Sequence, residues 1–305
     1  MPENELLGIV IPFYRDIQYL SELITSLVEQ SDNNFEVLII DDSGKGLLNT
    51  ETFRRKLDNR FTLWTNESNK GPFVSWNSGI EELFSRRRYS LIAIVHEDDL
   101  LHRNYVKNSL SYFARFPEVD VFHTKVKLIG SKGRRSLSIQ DAIKSIGTGS
   151  RRKKPMMTHS DNGLAKILRR NYVFCPSMIF NTTKFDRIKF DVRWKMVADL
   201  DFISNSLIKG RSFLQMPDKN YFYRRHENNL TAELTRTTKR FEEELELYKE
   251  LDKLCSESGF LKSAKVAKKA RIIKLHIAYR ILLALIRFDF GGIRRLMSVL
   301  LLNKN

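Results

Sequence analysis

At 305 residues the chain is long enough for one large domain or two, and a content of 42% hydrophobic and 29% charged residues excludes wholesale disorder. Lysine and arginine outnumber aspartate and glutamate by 52 to 36, so the formal charge is +16 and the expected partner is anionic: phosphate, nucleic acid or an acidic membrane. Cys175 and Cys255 lie far apart without metal-ligand spacing, which argues against a disulfide framework and a zinc site. Met1-Pro2-Glu3-Asn4-Glu5 lacks the basic-then-apolar order of a signal peptide, and no run reaches the roughly 18 to 20 apolar residues of a spanning helix, so a cytoplasmic location is expected.

In chain order, Leu6 to Pro12 is a continuous apolar run, as expected of a strand buried on both faces of a parallel sheet. Tyr19-Leu20, Leu23-Ile24 and Leu27-Val28 then recur at helical spacing. Glu36 to Ile40 reads as a second buried strand, ending in Asp41-Asp42-Ser43-Gly44. Ligands of open α/β sheets bind beyond the carboxyl ends of the strands, so Pro12 to Arg15 and Asp41 to Gly44 should face one crevice, with acids placed to read a ribose, a base or a metal. Phe61 to Trp64 is a weaker strand, Asn66 to Pro72 a loop, and Phe73 to Phe84 a helix whose Ser75, Asn77 and Ser78 either meet a ligand or cap the helix.

The apolar run Leu91 to Val95 delivers His96-Glu97-Asp98-Asp99 to the end of a buried strand. Clustered carboxylates there need a cation or a strong hydrogen-bonding partner; the competing reading is that Asp98 or Asp99 caps a helix starting near Leu101. Three alternations of strand and helix make a parallel, doubly wound sheet the expected architecture of residues 1 to about 125. Ser131 to Arg135 and Gly147 to Pro155 are basic and poor in core residues, and read as a surface excursion or as a clamp for phosphate or an acidic acceptor. Structure resumes at Tyr172 to Phe180, and Trp194 to Ile203 passes into a helix ending near Lys209-Gly210. Asp199 and Asp201 sit about 200° apart on that helix, so at most one of them serves a site. Tyr221-Phe222-Tyr223 leads into Arg224-Arg225-His226-Glu227, a source of phosphate-binding cations or a metal-binding imidazole.

The last segment is helical. Phe241 to Leu254 is an amphipathic helix with Glu242, Glu243, Glu244 and Glu246 on its polar side, and from residue 262 to 305 the net charge is +10, with Asp289 the one acid. Basic, apolar and too interrupted to span, this tail suits the plane of an anionic membrane, or a helical subdomain packed on the body or on a second subunit of a homo-oligomer.

Taken together, Val10 to Tyr14, Asp41 to Gly44, the Asn69-Lys70-Gly71 loop leading to Asn77, Glu97-Asp98-Asp99, Ala198-Asp199 and Tyr223 to His226 resemble, in order and spacing, the family 2 inverting glycosyltransferases. The resemblance covers residues 6 to 231. It implies an α/β fold of the GT-A type, a Rossmann-like, mostly parallel central sheet flanked by helices, here with a C-terminal helical extension. The implied organisation is a catalytic domain over 1–231, with a nucleotide-binding half (1–125) and an acceptor half (126–231), and an extension over 232–305. Pro12, Tyr14, Asp41, Asp42, Asn69 and Lys70 fall where such enzymes hold the nucleotide. Asp98 and Asp99 match the metal motif, with Asp99 as direct ligand of Mn²⁺ or Mg²⁺ and Glu97 pointing away. Asp199 matches the general base, and His226 a residue near the diphosphate or metal. His96 stands where many relatives have an acid, and Ala198 where many have glutamate.

The implied donor is a nucleotide-diphosphate sugar, with a UDP-sugar favoured, and the implied acceptor a saccharide or lipid-linked saccharide in surface polysaccharide synthesis at the inner face of the plasma membrane. The chemistry is coherent: a cation offsets charge growing on the diphosphate, and a carboxylate takes the proton of the acceptor hydroxyl. A nucleic-acid-binding role is disfavoured because the excess charge is concentrated in the tail, away from aromatic residues that would stack bases. A nucleotidyl or phosphoryl transferase would use the same acids, but no P-loop or dinucleotide fingerprint is present.

Overall fold

A computed structural model gives the structure and describes residues 5–131, 133, 153–226 and 237–302. The basic stretches at 134–135 and 147–152, and the Glu227 end of the polar cluster, lie outside the described residues. Two compact units interleave along the chain: residues 1–158, 172–190 and 211–226 belong to the first, and 159–171, 191–210 and 227–305 to the second.

The first unit is built on β1 (Leu7–Phe13), which is apolar along its length because both its faces are covered. Leu7, Ile9, Ile11 and Phe13 point to one side and pack with Leu20, Leu23 and Leu27 of α1 (Ile17–Val28), while Gly8 and Val10 point to the other. Asp16 caps α1 by accepting the Tyr19 N–H at 3.0 Å. β2 (Phe35–Asp41), α2 (Glu51–Arg54), β3 (Phe61–Thr65), α3 (Pro72–Ser85) and β4 (Leu91–Ile94) continue the alternation, and the order β3-β2-β1-β4 is parallel throughout, as the sequence pattern predicts. α3 lies very close to the sheet. A Cβ on Gly79 would fall against Val10 Cγ1 and 2.8 Å from Ile40 Cδ1, so the approach depends on glycine.

Beyond β4 the sheet becomes mixed. It runs β4-β8-β6-β9-β5, where β5 is Leu100–Leu101, β6 Val121–Gly130, β8 Met178–Asn181 and β9 Phe213–Arg225, and β7 (Met156–Thr158) adds to β9. β6 and β9 are parallel; the β4·β8, β6·β8, β5·β9 and β7·β9 pairs are antiparallel. The helix-capping reading of Asp98 and Asp99 is corrected here. Leu100 and Leu101 pair as strand with Phe222 and Tyr221, and α4 (Tyr105–Arg115) begins only after Asn104. The strand expected from Tyr172 is also shorter than its apolar pattern suggests, because Cys175-Pro176-Ser177 forms a 3₁₀ turn ahead of Met178.

The described elements of the second unit are helical: α5 (Ser160–Arg169), α6 (Ala198–Ile208), α7 (Lys239–Glu257), α8 (Leu261–Lys269), α9 (Arg271–Ile286) and α10 (Phe290–Leu302). On the polar side of α7, Glu243 and the further Glu250 have structural partners. Glu243 accepts the backbone N–H groups of Lys195 and Met196, and Glu250 takes a bidentate bridge from Arg193 at 2.8 and 2.6 Å. Tyr248 donates to the Leu168 carbonyl, and Asp161 of α5 accepts the N–H groups of Lys262 and Ser263, tying α5 to α7 and α8. Among the described residues, no helix is long and apolar enough to cross a membrane.

Candidate active site

The carboxyl ends of β1, β2 and β4 bring together the loops that carry most of the sequence-predicted residues of the first unit. At the end of β2 the two acids have different tasks. Asp41 is fully buried, and its oxygens accept from Ser43 N (3.0 Å), Ser43 Oγ (2.5 Å) and Leu48 N (2.9 Å), so its carboxylate shapes its own loop. Asp42 reaches across to the loop before α3, accepting from Asn66 Nδ2 (2.8 Å), Lys70 N (2.9 Å) and Gly71 N (3.0 Å). Asn69 and Lys70 therefore stand exposed on a loop whose backbone Asp42 fixes. Gly71 takes φ 85° at the N-cap, a conformation open to glycine at little cost. Asn77 does not face a ligand: its amide clamps the Phe190 backbone through two hydrogen bonds of 2.8 Å.

At the end of β1, Pro12 is half-buried and Tyr14 exposed. The Tyr14 N–H donates to Glu97 Oε2 at 2.7 Å. Glu97 thus turns to the β1 loop and is not part of the His96, Asp98 and Asp99 group, in keeping with the expectation that it points away, and burial pushes its carboxyl up to about 7 despite that hydrogen bond.

The cluster itself separates Asp98 from Asp99. Asp99 is fully buried, with Oδ1 accepting the Arg224 N–H and Oδ2 the Tyr221 hydroxyl, both at 2.7 Å. Burial, and then the neighbouring Asp98, raise its carboxyl well above the usual carboxylate range. Asp98 is partly exposed and lies 2.8 Å from His226 Nε2. Burial opposes its ionisation, but the His226 hydrogen bond and the nearby His96 outweigh this and hold its carboxyl below the ordinary value.

Arg224 organises this corner. It is fully buried, donates to the carbonyls of Asp98 and Ser131 (2.7 Å each) and to Glu22 Oε2 (2.6 Å), and its guanidinium lies 4.4 Å from the Tyr19 ring centroid. Of the two roles open to the Arg224-Arg225-His226 cluster, Arg224 does not serve as a phosphate-binding cation here: its guanidinium donors are turned to the protein. What places it is the pairing of β9 with Leu100-Leu101, a long-range register that no local pattern reveals. His96 packs against Trp76 with ring centroids 5.3 Å apart, and His96 Nε2 and Trp76 Nε1 are buried without a hydrogen-bond partner among the described residues.

Each of His96, Asp98 and Asp99 offers a ligand atom, and these atoms lie within 4.8 Å of one another. A set of one imidazole and two carboxylates fits a divalent cation such as Mn²⁺, with His96 Nδ1 3.9 Å from Asp99 Oδ2.

Asp199 lies in the second unit, in the first turn of α6, half-buried, with Oδ1 accepting the Leu200 N–H at 2.8 Å. Burial, with Glu244 of α7 adding to it and Arg240 opposing, pushes it up to about 6. Asp201 responds to a different set of neighbours, Asp191, Arg193 and Glu250, as the helical spacing requires, and also lies at about 6, chiefly through burial.

The family model described as glycosyl transferase family 2 matches residues 8–176. The chain belongs to that family. Among its relatives, an uncharacterized glycosyltransferase of Rickettsia conorii is 30% identical over 140 residues, 45% of this chain and 22% of that protein. The poly(ribitol-phosphate) β-N-acetylglucosaminyltransferase TarS of Staphylococcus aureus is 23% identical over 71% of this chain and 35% of its own. The chain thus spans only 20 to 35% of the length of these first relatives. In structure it is similar to residues 1–349 of TarS in complex with UDP-GlcNAc (TM-score 0.60, 17% identity, 96% of this chain and 90% of that one). It is also similar to a mannosyltransferase of Pyrobaculum calidifontis in complex with GDP-Man and Mn²⁺ (TM-score 0.54, 13% identity, 99% and 88%). The fold is GT-A: a central α/β sheet flanked by helices, with a C-terminal helical region.

Proposed function

We propose that the chain is a metal-dependent inverting glycosyltransferase that moves a sugar from a nucleotide-diphosphate donor, with UDP favoured, to a saccharide or lipid-linked saccharide acceptor in surface polysaccharide synthesis at the inner face of the plasma membrane. The observation that carries the reading is the His96-Asp98-Asp99 group at the carboxyl end of β4 in a family 2 chain. The activity for which TarS is named, transfer of N-acetylglucosamine to poly(ribitol phosphate), supports a phosphate-bearing polymer as acceptor class, which suits a protein of charge +16.

In this reading residues 1–125 hold the nucleotide, 126–231 shape the acceptor side and 232–305 form an extension. The Asp42-fixed loop with Asn69 and Lys70, together with Pro12 and Tyr14, surrounds the nucleoside, and Asp41 serves by keeping the β2 loop in shape. The direct contact that the family resemblance implies for Asp99 is assigned in this proposal to Asp98, because both Asp99 oxygens already accept from the Arg224 N–H and the Tyr221 hydroxyl; His96 is a second donor, Asp99 sits beside them at the edge of the site, and His226 orients Asp98. A bound Mn²⁺ or Mg²⁺ supplies positive charge against the diphosphate leaving group. Asp199 takes the proton of the acceptor hydroxyl, and its raised value places it nearer neutrality, where a general base works best.

Thermal-shift and calorimetric titration with UDP, GDP, CDP and dTDP, each with and without Mn²⁺, test the donor assignment. One nucleotide should stabilise the chain only with the metal, and Asp98→Asn should remove that effect. Equal response to every nucleotide without metal would overturn the reading.

A further inference from the structure

The last two described helices carry a surface that the proposed chemistry does not use. α9 has two apolar stripes. Ile273, Ile277 and Ala284 are buried and form the inward one. Leu275, Tyr279, Leu282 and Ile286 are exposed, and at about 100° per residue they fall within about 60° of arc, on the side opposite the buried stripe. A helix facing water ordinarily presents polar residues there. Leu275 is 65% exposed and Ile286 66%, so the outward stripe is open rather than partly packed.

The turn into α10 sharpens the pattern. Phe288 is 78% exposed and Phe290 70%, and Phe288 holds a left-handed backbone (φ 55°), which is costly for an aromatic residue. In water a glycine or asparagine would serve this turn better. α10 adds Met297 and Leu301 to the exposed apolar set.

Charge identifies the occupant. The same helical geometry places the exposed Lys274 on one side of the outward stripe of α9 and the exposed Arg287 on the other, each about 80° from its edge, and α10 contributes Arg294 and Arg295. The single acid from Arg271 to Leu302 is Asp289, and its carboxylate accepts the Gly292 N–H at 2.7 Å. A second copy docking through the same face would set these cations against one another. A sheet of lipid phosphates offers apolar depth beneath the stripe and anions along both of its borders. With no described helix able to span, the pair would lie in the interfacial plane.

We propose that the α9–α10 pair is an interfacial anchor for an anionic bilayer, with Leu275, Tyr279, Leu282 and Ile286 entering the acyl boundary, Phe288 and Phe290 wedged beside them, and Lys274, Arg287, Arg294 and Arg295 meeting the headgroups. This deepens the membrane-side placement proposed above. Because the readout is vesicle binding and not transfer, its failure leaves the donor-site reading intact, and failure of the nucleotide titrations leaves the anchor intact.

The test is flotation of the full chain with vesicles of phosphatidylcholine alone or mixed with phosphatidylglycerol. Binding should be at least about tenfold stronger to the anionic vesicles and should fall with added salt. Leu282→Ser with Ile286→Ser, and separately Lys274→Glu with Arg287→Glu, should each reduce it about tenfold or more; these are surface changes, and circular dichroism verifies the fold. A Phe288→Trp chain should gain emission that brominated lipid quenches. Absence of binding to anionic vesicles, equal binding to neutral ones, or binding unchanged by the Leu282 and Ile286 substitutions would overturn the proposal. A wild-type dimer that the same substitutions dissociate, without vesicle binding, would assign the surface to a second copy instead.

Discussion

Replacing Tyr221 by phenylalanine removes one oxygen from the centre of the acid cluster and leaves the ring in place. That oxygen donates to Asp99 Oδ2 at 2.7 Å and accepts the His96 N–H at 3.2 Å, with Tyr221 and Asp99 fully buried. A hydrogen bond between uncharged groups contributes about 0.5–1.5 kcal/mol, so with Asp99 biased toward its neutral form the loss of both should cost the first unit roughly 1–3 kcal/mol. Hydrogen exchange of the β4, β5 and β9 amides against urea reads this unit separately from the second. A loss below about 0.5 kcal/mol would refute the account of Asp99 as a group held by, and holding, its neighbours. A companion measurement divides the two acids. Asp99→Asn retains an acceptor for the Arg224 N–H and can donate to the Tyr221 oxygen, whereas Asp98→Asn removes a charge from the partly exposed side of the cluster. Calorimetric Mn²⁺ affinity should therefore fall further for Asp98→Asn; a greater loss for Asp99→Asn would restore Asp99 as the direct ligand.

The rate of transfer should fall about tenfold per pH unit below about 6, the value to which Asp199 is raised, because the base must be ionised to accept a proton. The same burial disfavours charge in the folded state, so the stabilising influence of the protonated form is complete below the unfolded value and is lost as pH rises through about 6. Asp199→Asn should thus abolish transfer in a steady-state assay while raising the thermal midpoint at pH 8 and leaving it little changed at pH 4; full activity in that variant would remove Asp199 from the role of base. Gly79→Ala should destabilise the first unit by about 1–3 kcal/mol in urea unfolding, because the added methyl meets Val10 and Ile40, and this outweighs about 1 kcal/mol of helix propensity. Asn77→Ala, which strips two 2.8 Å hydrogen bonds from the Phe190 backbone, should cost about 1–3 kcal/mol and speed hydrogen exchange at Phe190.

The strands that were legible are those buried on both faces. β1 and β4 are unbroken apolar runs, as is Val37 to Ile40 of β2, and no other type of element satisfies that pattern with Pro12, Asp41-Asp42 or Glu97-Asp98-Asp99 at its end. β6 was not legible, since it buries His123, Thr124 and Lys125 in mid-strand and shifts register between Thr124 and Val126, which erases its period. Only the far half of β9 stood out, because Asp218, Lys219 and Asn220 interrupt the strand that begins at Phe213. At the site, residue type announced the chemistry but could not apportion it. Asp98 and Asp99 are chemically identical neighbours, and what distinguishes them is which one the β9 strand covers. That pairing joins Leu100 to Phe222 across more than a hundred residues of chain, and nothing local to either segment encodes it.

Two features of the molecule work against folding stability, and they do so in opposite ways. In the first unit, Arg224, Asp99 and Tyr221 place a charge, a carboxyl and a phenol where aliphatic side chains of similar volume would pack at no loss, since a buried ionic network rarely repays its desolvation. In the second unit, Phe288, Phe290 and the outward stripe of α9 leave in water what a core would gain from burying. Sequences selected for stability alone remove both kinds of exception, so their presence needs a compensating use. For the buried network that use is rigidity: Arg224 ties the Asp98 carbonyl to Ser131 and Glu22, which fixes the backbone carrying the carboxylate that the proposed metal would meet. For the exposed helices it is a second solvent. The same side chains that are a liability in water become favourable once an apolar phase is supplied from outside the chain, and the flanking cations specify that this phase has an anionic surface.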